Sequence, residues 1–428
     1  MEILLIMEDK LNTDIVYNRV TKKIPTMAQE HELSEKELDE KAVEYFREYL
    51  RIPSVQPNAK YEKCVEFILT LAESFHLPAK VYHLHPGKPV VIIAWEGTDS
   101  SKSTILLNNH MDVVTTYPDK WLYPPFSAHM DEDGNIYARG SQDMKSVGMQ
   151  YLEAIHRFKL NGKRFSRTVY ISFMPEEEVG GEHGMKDFVQ SAYFKSLNVG
   201  FALDEGNGFS DSSFHVTYID KAKWSVEITC EGVTGHGSLM LDNTAAEKMQ
   251  VIVNRFLDLR AKEKTKLDSG SVGDVTSVNL TKITGGVEDN IIPQIVKILF
   301  DIRLAPSASH EELEAIIQSW CKEAGTGVTY KFCKKNPKIE GTKVDDTNPF
   351  WMAFKKAADE LDIELKLTIN TATSDARFLR QMGIPVLGFS PINETEIRIH
   401  ADNEYLNKKT FLRGIEIYTK IIPAIANV

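Results

Sequence analysis

Between residues 90 and 203 the chain repeats one device, a short run of apolar residues closed by turn or polar residues. Segments 90–95, 105–107, 169–174 and 201–203 are such runs. Each is too short for a helix and, Ser172 aside, apolar, which is how a strand covered on both faces reads. Helical spacing at 145–159 and 186–191 falls between some of them. Strands of this kind alternating with helices predict an α/β fold whose sheet is mixed, largely parallel and flanked by helices. A helix precedes them. Ser34 and Glu37 make a Ser-x-x-Glu cap, Leu38, Ala42, Phe46 and Leu50 recur at helical spacing, and Arg51-Ile52-Pro53 closes it.

Near residue 220 the period changes. Trp224, Val226, Ile228 and Cys230 alternate with polar residues, as in a half-buried strand with Cys230 in the core. A long helix follows, with Ala245, Met249, Ile252, Val253 and Phe256 on one face, and then two strand-like runs, 276–283 and 296–304. A helix capped by Ser309 and Glu312 and stopped by Gly325 leads to a last run, 328–332. This β-α-β-β-α-β order is that of a ferredoxin-like α+β domain. After about residue 336 the first pattern returns, with a helix from Asn348-Pro349, a buried strand at 384–389 and a final helix at 410–425. The expected organisation is one domain, 31–218 and 336–428, interrupted by an inserted domain, 219–335. Residues 1–30 show no clear periodicity and are expected to be a poorly ordered extension.

Composition narrows the partners. Fifty Lys and Arg against sixty-one Asp and Glu leave a net charge of −11, which argues against nucleic acid but leaves room for cations. No apolar run approaches the ~20 residues of a membrane span. The N-terminal patch between Glu2 and Glu8 lacks a basic leader, and the stretch after it carries acids that a transit peptide avoids. Cys64, Cys230, Cys321 and Cys333 are scattered with no C-x-x-C. Together these predict a cytoplasmic protein with reduced thiols.

The chemistry gathers at or just past predicted strand ends, where open α/β sheets place their sites. TILLNNHMD puts His110 and Asp112 there, SFMPEEEVGG puts Glu176, Glu177 and Glu178, and FALDEG puts Asp204 and Glu205. YARGSQDMKS places Asp143 in a turn before a helix, and IRIHADNE offers His400. Two histidines and several carboxylates suit Zn²⁺, Co²⁺ or Mn²⁺. Two such ions ~3.5–4 Å apart, sharing a carboxylate, would make hydroxide at neutral pH and clamp a carbonyl oxygen. A spare glutamate could act as general base. Taken singly, His-x-Asp is a common cap, a Glu run a solvated face and Asp-Glu-Gly a turn; their joint placement is what sets them apart. There is no G-x-S-x-G, H-E-x-x-H or G-x-x-x-x-G-K-[ST], and G-N-G-F-S-D lacks the third glycine of a dinucleotide fingerprint.

The ordered set ARGSQDMK, PEEEVGG, GFALDEG, TAAEK, TSVNLTK, FSP and FLRGIEIYTK runs from about Ala42 to the C-terminus. It resembles the zinc-dependent peptidase and amidohydrolase family that includes aminoacylases, carboxypeptidase G, carnosine dipeptidases and succinyl-diaminopimelate desuccinylase. The resemblance implies two Zn²⁺ per subunit, with Co²⁺ or Mn²⁺ as substitutes. His110 and Glu205 would hold one, Glu178 and His400 the other, and Asp143 would bridge them. Glu177 would be the general base and later proton donor, and Asp112 would hydrogen-bond and orient His110. His236, in GHGS of the inserted domain, would reach the partner subunit's site and stabilise the oxyanion. Asn290 and Arg303 would bind the substrate carboxylate. The same resemblance implies a cis peptide at Asp143–Met144 and a homodimer joined through an inserted domain that also serves as a lid. It gives Asp204 and Glu176 no ligand or catalytic role, and His129, His156, His183 and His310 read as structural or surface residues. The implied activity is hydrolysis of N-acyl-L-amino acids to a carboxylate and a free L-amino acid. A dipeptidase or carboxypeptidase of the same family is the alternative, with a metal-free binding homologue behind it.

Overall fold

The computed structural model describes residues 33–268 and 270–428, so the expected extension over residues 1–30 lies outside the described residues. The chain divides into two compact units. The first takes the chain as far as Tyr218, then Thr342–Leu367 and Ser374–Val428; the second is Ile219–Gly341 with Thr368–Thr373. Residues 336–341 and 368–373 fall with the second unit because backbone bonds tie them there. The Asn336 N–H donates to the Lys223 carbonyl at 3.0 Å, and the Lys221 N–H to the Asn370 carbonyl at 3.0 Å.

The main sheet has eight strands: β1 (Ala79–His85), β2 (Lys88–Trp95), β3 (Thr104–His110), β4 (Val169–Met174), β5 (Val199–Asp204), β6 (Phe214–Asp220), then β11 (Leu365–Asn370) and β12 (Val386–Gly388). The second unit supplies β7 to β10, given below. Spatial order in the main sheet is β1-β2-β4-β3-β5-β12-β6-β11. Strands β4, β3, β5 and β12 are mutually parallel, while β2 and β6 run against them. The pleat sends alternate residues into two cores. Ile105 and Leu107 face one, Leu106 the other.

The first core is closed by five helices: α1 (Glu35–Leu50), α2 (Glu62–Ser74), α3 (Lys145–Leu160), α6 (Pro349–Glu360) and the last helix of the chain, α7 (Lys408–Ala426). Helix α1 begins where expected, with Ser34 and Glu37 in a reciprocal capping box that satisfies two free N–H groups. Phe46 stacks on Phe411 at 4.4 Å, locking α1 to α7. Short helices Met185–Gln190, Ala192–Ser196 and Ala376–Gln381 cover the other face through Phe188, Phe194 and Leu379. Helix α6 (Pro349–Glu360) starts with Asn348 as its N-cap and a proline in its first turn, as the sequence predicts.

The second unit contains β7 (Ala222–Glu231), α4 (Ala245–Leu267), β8 (Ser277–Gly285), β9 (Ile295–Leu304), α5 (His310–Glu323) and β10 (Val328–Lys335). The sheet order is β8-β9-β7-β10, with every pairing antiparallel. That is the ferredoxin-like arrangement. Trp224, Val226, Ile228 and Cys230 alternate inward from β7 onto Ile252 and Phe256 of α4 and Ile317 of α5. Among the described residues no helix is long and apolar enough to cross a membrane.

Candidate metal centre

Because β3, β4 and β5 are parallel neighbours, their C-terminal ends lie side by side. His110 is the last residue of β3, Glu177 and Glu178 follow β4, and Glu205 follows β5. Asp143 arrives from the segment ahead of α3, and the Asp143–Met144 peptide is cis. His400 arrives from a late turn with φ +62°. These residues form two groups whose donor atoms lie within 4.8 Å of one another: His110, Asp143 and Glu205, and Asp143, Glu178 and His400. Asp143 belongs to both. Its Oδ1 is 3.2 Å from His110 Nε2, and its Oδ2 is 3.2 Å from His400 Nε2. Glu205 Oε2 completes the first group at 3.4 Å from His110, and Glu178 Oε2 the second at 3.1 Å from His400.

The ring of His110 is held by its other nitrogen. Nδ1 lies 2.9 Å from the Asp112 carbonyl, which can only accept, so Nδ1 donates there and Nε2 is the nitrogen turned to the site. The orienting bond therefore comes from the Asp112 backbone. The Asp112 carboxylate is 3.8 Å from the ring and does other work. It accepts from the N–H groups of Glu177 and Glu178, each at 3.2 Å, and from Gln56 Nε2 at 2.7 Å. The turn after β4 leaves those N–H groups without sheet partners, and a fully buried carboxylate satisfies them.

Beneath the site a polar row crosses the sheet. Ser172 Oγ donates to Asn108 Oδ1 at 2.6 Å, and Asn108 Nδ2 donates to Asp204 Oδ1 at 2.9 Å. The same Asp204 oxygen accepts from the Glu205 N–H, so Asp204 braces the chain while Glu205 reaches His110. Glu176 points elsewhere, to Lys88 Nζ at 3.2 Å.

The electrostatics ask for cations. Burial and the Asp143 charge push the Glu178 carboxyl up to about 7. Burial and the Asp143 charge also hold Glu205 well above the carboxylate range, and burial and the Glu205 charge do the same to Glu177. Burial raises Asp143 too, but His110 and His400 outweigh it and pull that carboxyl low. Glu178 Oε1 is buried without a hydrogen-bond partner. Imidazole nitrogens and carboxylate oxygens in surplus, with one oxygen orphaned, fit a pair of divalent cations. Asp143, with an oxygen toward each histidine, can bridge such a pair.

Sequence reading passed over Asp375. It is buried, neither oxygen has a hydrogen-bond partner, and burial with the Asp204 charge pushes it up to about 8. Its Oδ1 would stand 2.5 Å from a Cβ on Gly181, which has φ +63° and closes the Glu177–Glu178 turn. Nothing in its Ser-Asp-Ala-Arg setting distinguishes it from an ordinary helix start.

In the second unit His236 lies in a two-residue strand, Gly235–His236, paired with Ile291–Ile292. The Gly237 N–H donates to the Asn290 carbonyl at 2.7 Å, so His236 and Asn290 are neighbours. Both are exposed, and His236 Nδ1 lies 2.8 Å from Ser238 Oγ. Arg303 is on β9, its Nε donating to Asp301 Oδ1 at 2.7 Å.

Comparisons with known proteins give the family and the fold. The sequence profile of Peptidase family M20/M25/M40 matches residues 106–424. Aminoacylase-1A of Rattus norvegicus is 44% identical over 395 residues, covering 92% of this chain and 97% of that protein. An M20 family metallo-carboxypeptidase from Sulfolobus solfataricus shares the fold, with a TM-score of 0.72 at 18% identity over 90% of this chain and 99% of that one. So does a dinuclear metal-binding M20 peptidase from Bacillus subtilis, with a TM-score of 0.63 at 16% identity over 91% and 98%. The chain belongs to peptidase family M20/M25/M40.

Proposed function

We propose that this chain is a metal-dependent amidohydrolase that cleaves N-acyl-L-amino acids to a carboxylate and a free L-amino acid. The observation that carries the reading is Asp143, with one oxygen toward His110 and Glu205 and the other toward His400 and Glu178. Similarity to aminoacylase-1A over nearly the whole of both proteins supports the substrate class. His110, Glu205 and Asp143 would hold one Zn²⁺, and Asp143, Glu178 and His400 the second. Divalent cations bound there would supply the Lewis acidity that activates water and polarises the acyl carbonyl.

The chain's own residues do the rest. Glu177 stands beside the ligands on a turn held by Asp112, and it belongs to neither ligand group. It takes the proton of the attacking water and passes it to the departing nitrogen. Arg303 and Asn290 bind the substrate carboxylate, the guanidinium by a two-pronged fork. His236 donates to the oxyanion across a homodimer formed by the inserted domains. Exposed Leu239, Met240, Val287 and Ile291 in the second unit support such an interface. Four free cysteines suit a reducing, cytoplasmic setting.

A side-by-side assay tests the substrate class. N-acetyl-L-amino acids are expected to turn over faster than dipeptides; the reverse order would make the chain a dipeptidase. His236→Ala is expected to lower turnover about 10²–10³-fold with zinc content unchanged. Zinc loss in that variant would make His236 a ligand and overturn the scheme.

A further inference from the structure

The segment that carries Asp143 and the turn that carries His400 meet at a fully buried carboxylate, Glu404. Both of its oxygens are engaged. Oε2 accepts from Arg139 Nη1 at 2.7 Å and from the Gly140 N–H at 3.2 Å. Oε1 accepts from the N–H groups of Gln142 at 2.7 Å and Asp143 at 3.3 Å. Residues 139–143 are thus wrapped around one side chain. The same segment reaches across to the His400 turn. Arg139 Nη2 donates to the His400 carbonyl at 3.1 Å. Gln142 Nε2 donates to the carbonyls of Glu396 at 3.0 Å and Tyr405 at 2.8 Å, and Gln142 Oε1 accepts from the Arg398 N–H at 3.0 Å.

The two groups around Asp143 are therefore held in different ways. His110 ends β3 and Glu205 directly follows β5 in the main sheet, and Glu178 is held by Asp112. His400 is outside any strand or helix, and its side chain is 52% exposed. Its place relative to Asp143 depends on the bonds from Arg139, Gln142 and Glu404.

We infer that Glu404, with Arg139 and Gln142, is a positioning latch that sets Asp143 and His400 against each other. Cation affinity at the Asp143–Glu178–His400 group then depends on a carboxylate occupied by Arg139 and backbone N–H groups. This rests on the two-metal reading above. A Glu404→Gln amide keeps the volume but turns an NH₂ toward two of the donors that now meet an oxygen. The segment must shift to separate them, and ligand distances tolerate only about 0.2 Å. Changes to such supporting partners cost about 10–100-fold in metal affinity. The loss falls on the His400 side, where histidine and shared carboxylate both move.

The test is zinc titration against a chromophoric chelator, with folding checked by far-ultraviolet circular dichroism. Three variants are compared with wild type. Glu404→Gln is the direct one. Arg139→Gln with Glu404→Gln removes both buried charges, in case an unpaired Arg139 prevents folding. Gln142→Ala removes only the side-chain bonds to the His400 turn. Wild type is expected to bind two ions. The Glu404 variants should bind the second about 10–100-fold more weakly and lose clearly less at the first, which keeps His110 and Glu205 in place. Gln142→Ala should show a milder form of the same loss. The visible spectrum of the second Co²⁺ added should change, a signature that a merely structural defect would not give. Variants that bind both ions as wild type does, or that weaken both equally, overturn the latch. Wild type that takes up no zinc overturns the two-metal reading and the latch with it, and is told apart because the defect lies in the wild type.

Discussion

Removing the Asp112 carboxylate has a cost that can be worked out bond by bond. Three donors converge on it: the N–H groups of Glu177 and Glu178, and Gln56 Nε2. The side chain is fully buried, so water does not replace it freely. Asp112→Asn keeps the shape but has one acceptor oxygen. If that oxygen takes the Oδ1 position, Glu177 keeps its bond. Gln56, whose Oε1 is unpartnered, can flip to accept from the new amide, and the Glu178 N–H is left facing an NH₂. If it takes the Oδ2 position, the Glu177 N–H is the one orphaned. Either way one buried donor loses its partner, at about 1–3 kcal/mol. Asp112→Ala orphans both backbone N–H groups, while Gln56 Nε2 keeps its bond to Tyr61 Oη at 3.1 Å, so the cost is about 2–6 kcal/mol. Unfolding is measured in chelator, so that altered metal affinity does not enter, with hydrogen exchange on peptides spanning 175–181. The expected order is wild type, Asn, then Ala, with amide protection over 177–178 falling in step. An alanine loss below about 1 kcal/mol, or no larger than the asparagine loss, would refute the reasoning.

Two further outcomes follow from the same geometry. Glu177→Gln should retain both metals while kcat falls about 10²–10⁴-fold, or ~3–5 kcal/mol; near wild-type turnover would remove Glu177 as base. In the metal-free chain, burial and Asp143 push Glu178 up to about 7, and the bonds to Asp143 and Glu178 push His400 up to about 10. Both folded values lie above the ordinary 4.5 and 6.5, so the folded chain holds protons that the unfolded chain has released. Their contribution to stability is full in acid and lost as pH rises, through 4.5 to about 7 for Glu178 and 6.5 to about 10 for His400. Zinc competes with those protons, so the rise in melting temperature on adding zinc should grow from about pH 5.5 to 8. Melts showing a gain that shrinks over that range would contradict the assignment.

The central strands were legible because burial on both faces writes nearly unbroken apolar runs, as in Val169–Met174, where Ser172 is the one polar residue. Strand β1 was not, because Ala79–His85 lies at the sheet edge, half exposed, and its polar residues interrupt any run. Strand β11 failed for the same reason. The inserted unit was legible through the strict alternation of β7. In the site, His110, Glu178 and Glu205 follow apolar strands and could be placed by position. Asp143 and His400 come from irregular segments, and only resemblance to a family paired them. Glu404 had no local signal: an acid directly after an exposed turn reads as surface, and its burial comes from Arg139, 265 residues away. That the Asp112 carbonyl and not its carboxylate orients His110 was equally hidden, since it depends on which group the turn after β4 needs more.

The most direct measurement is hydrolysis of N-acetyl-L-methionine by purified protein, with metal content followed alongside. Rates are taken as isolated, after chelation, and after zinc is restored. Activity that disappears with the metal and returns with two zinc ions per chain is the predicted result. Activity that persists in protein shown to be metal-free, or its absence in folded, zinc-loaded protein, would contradict it.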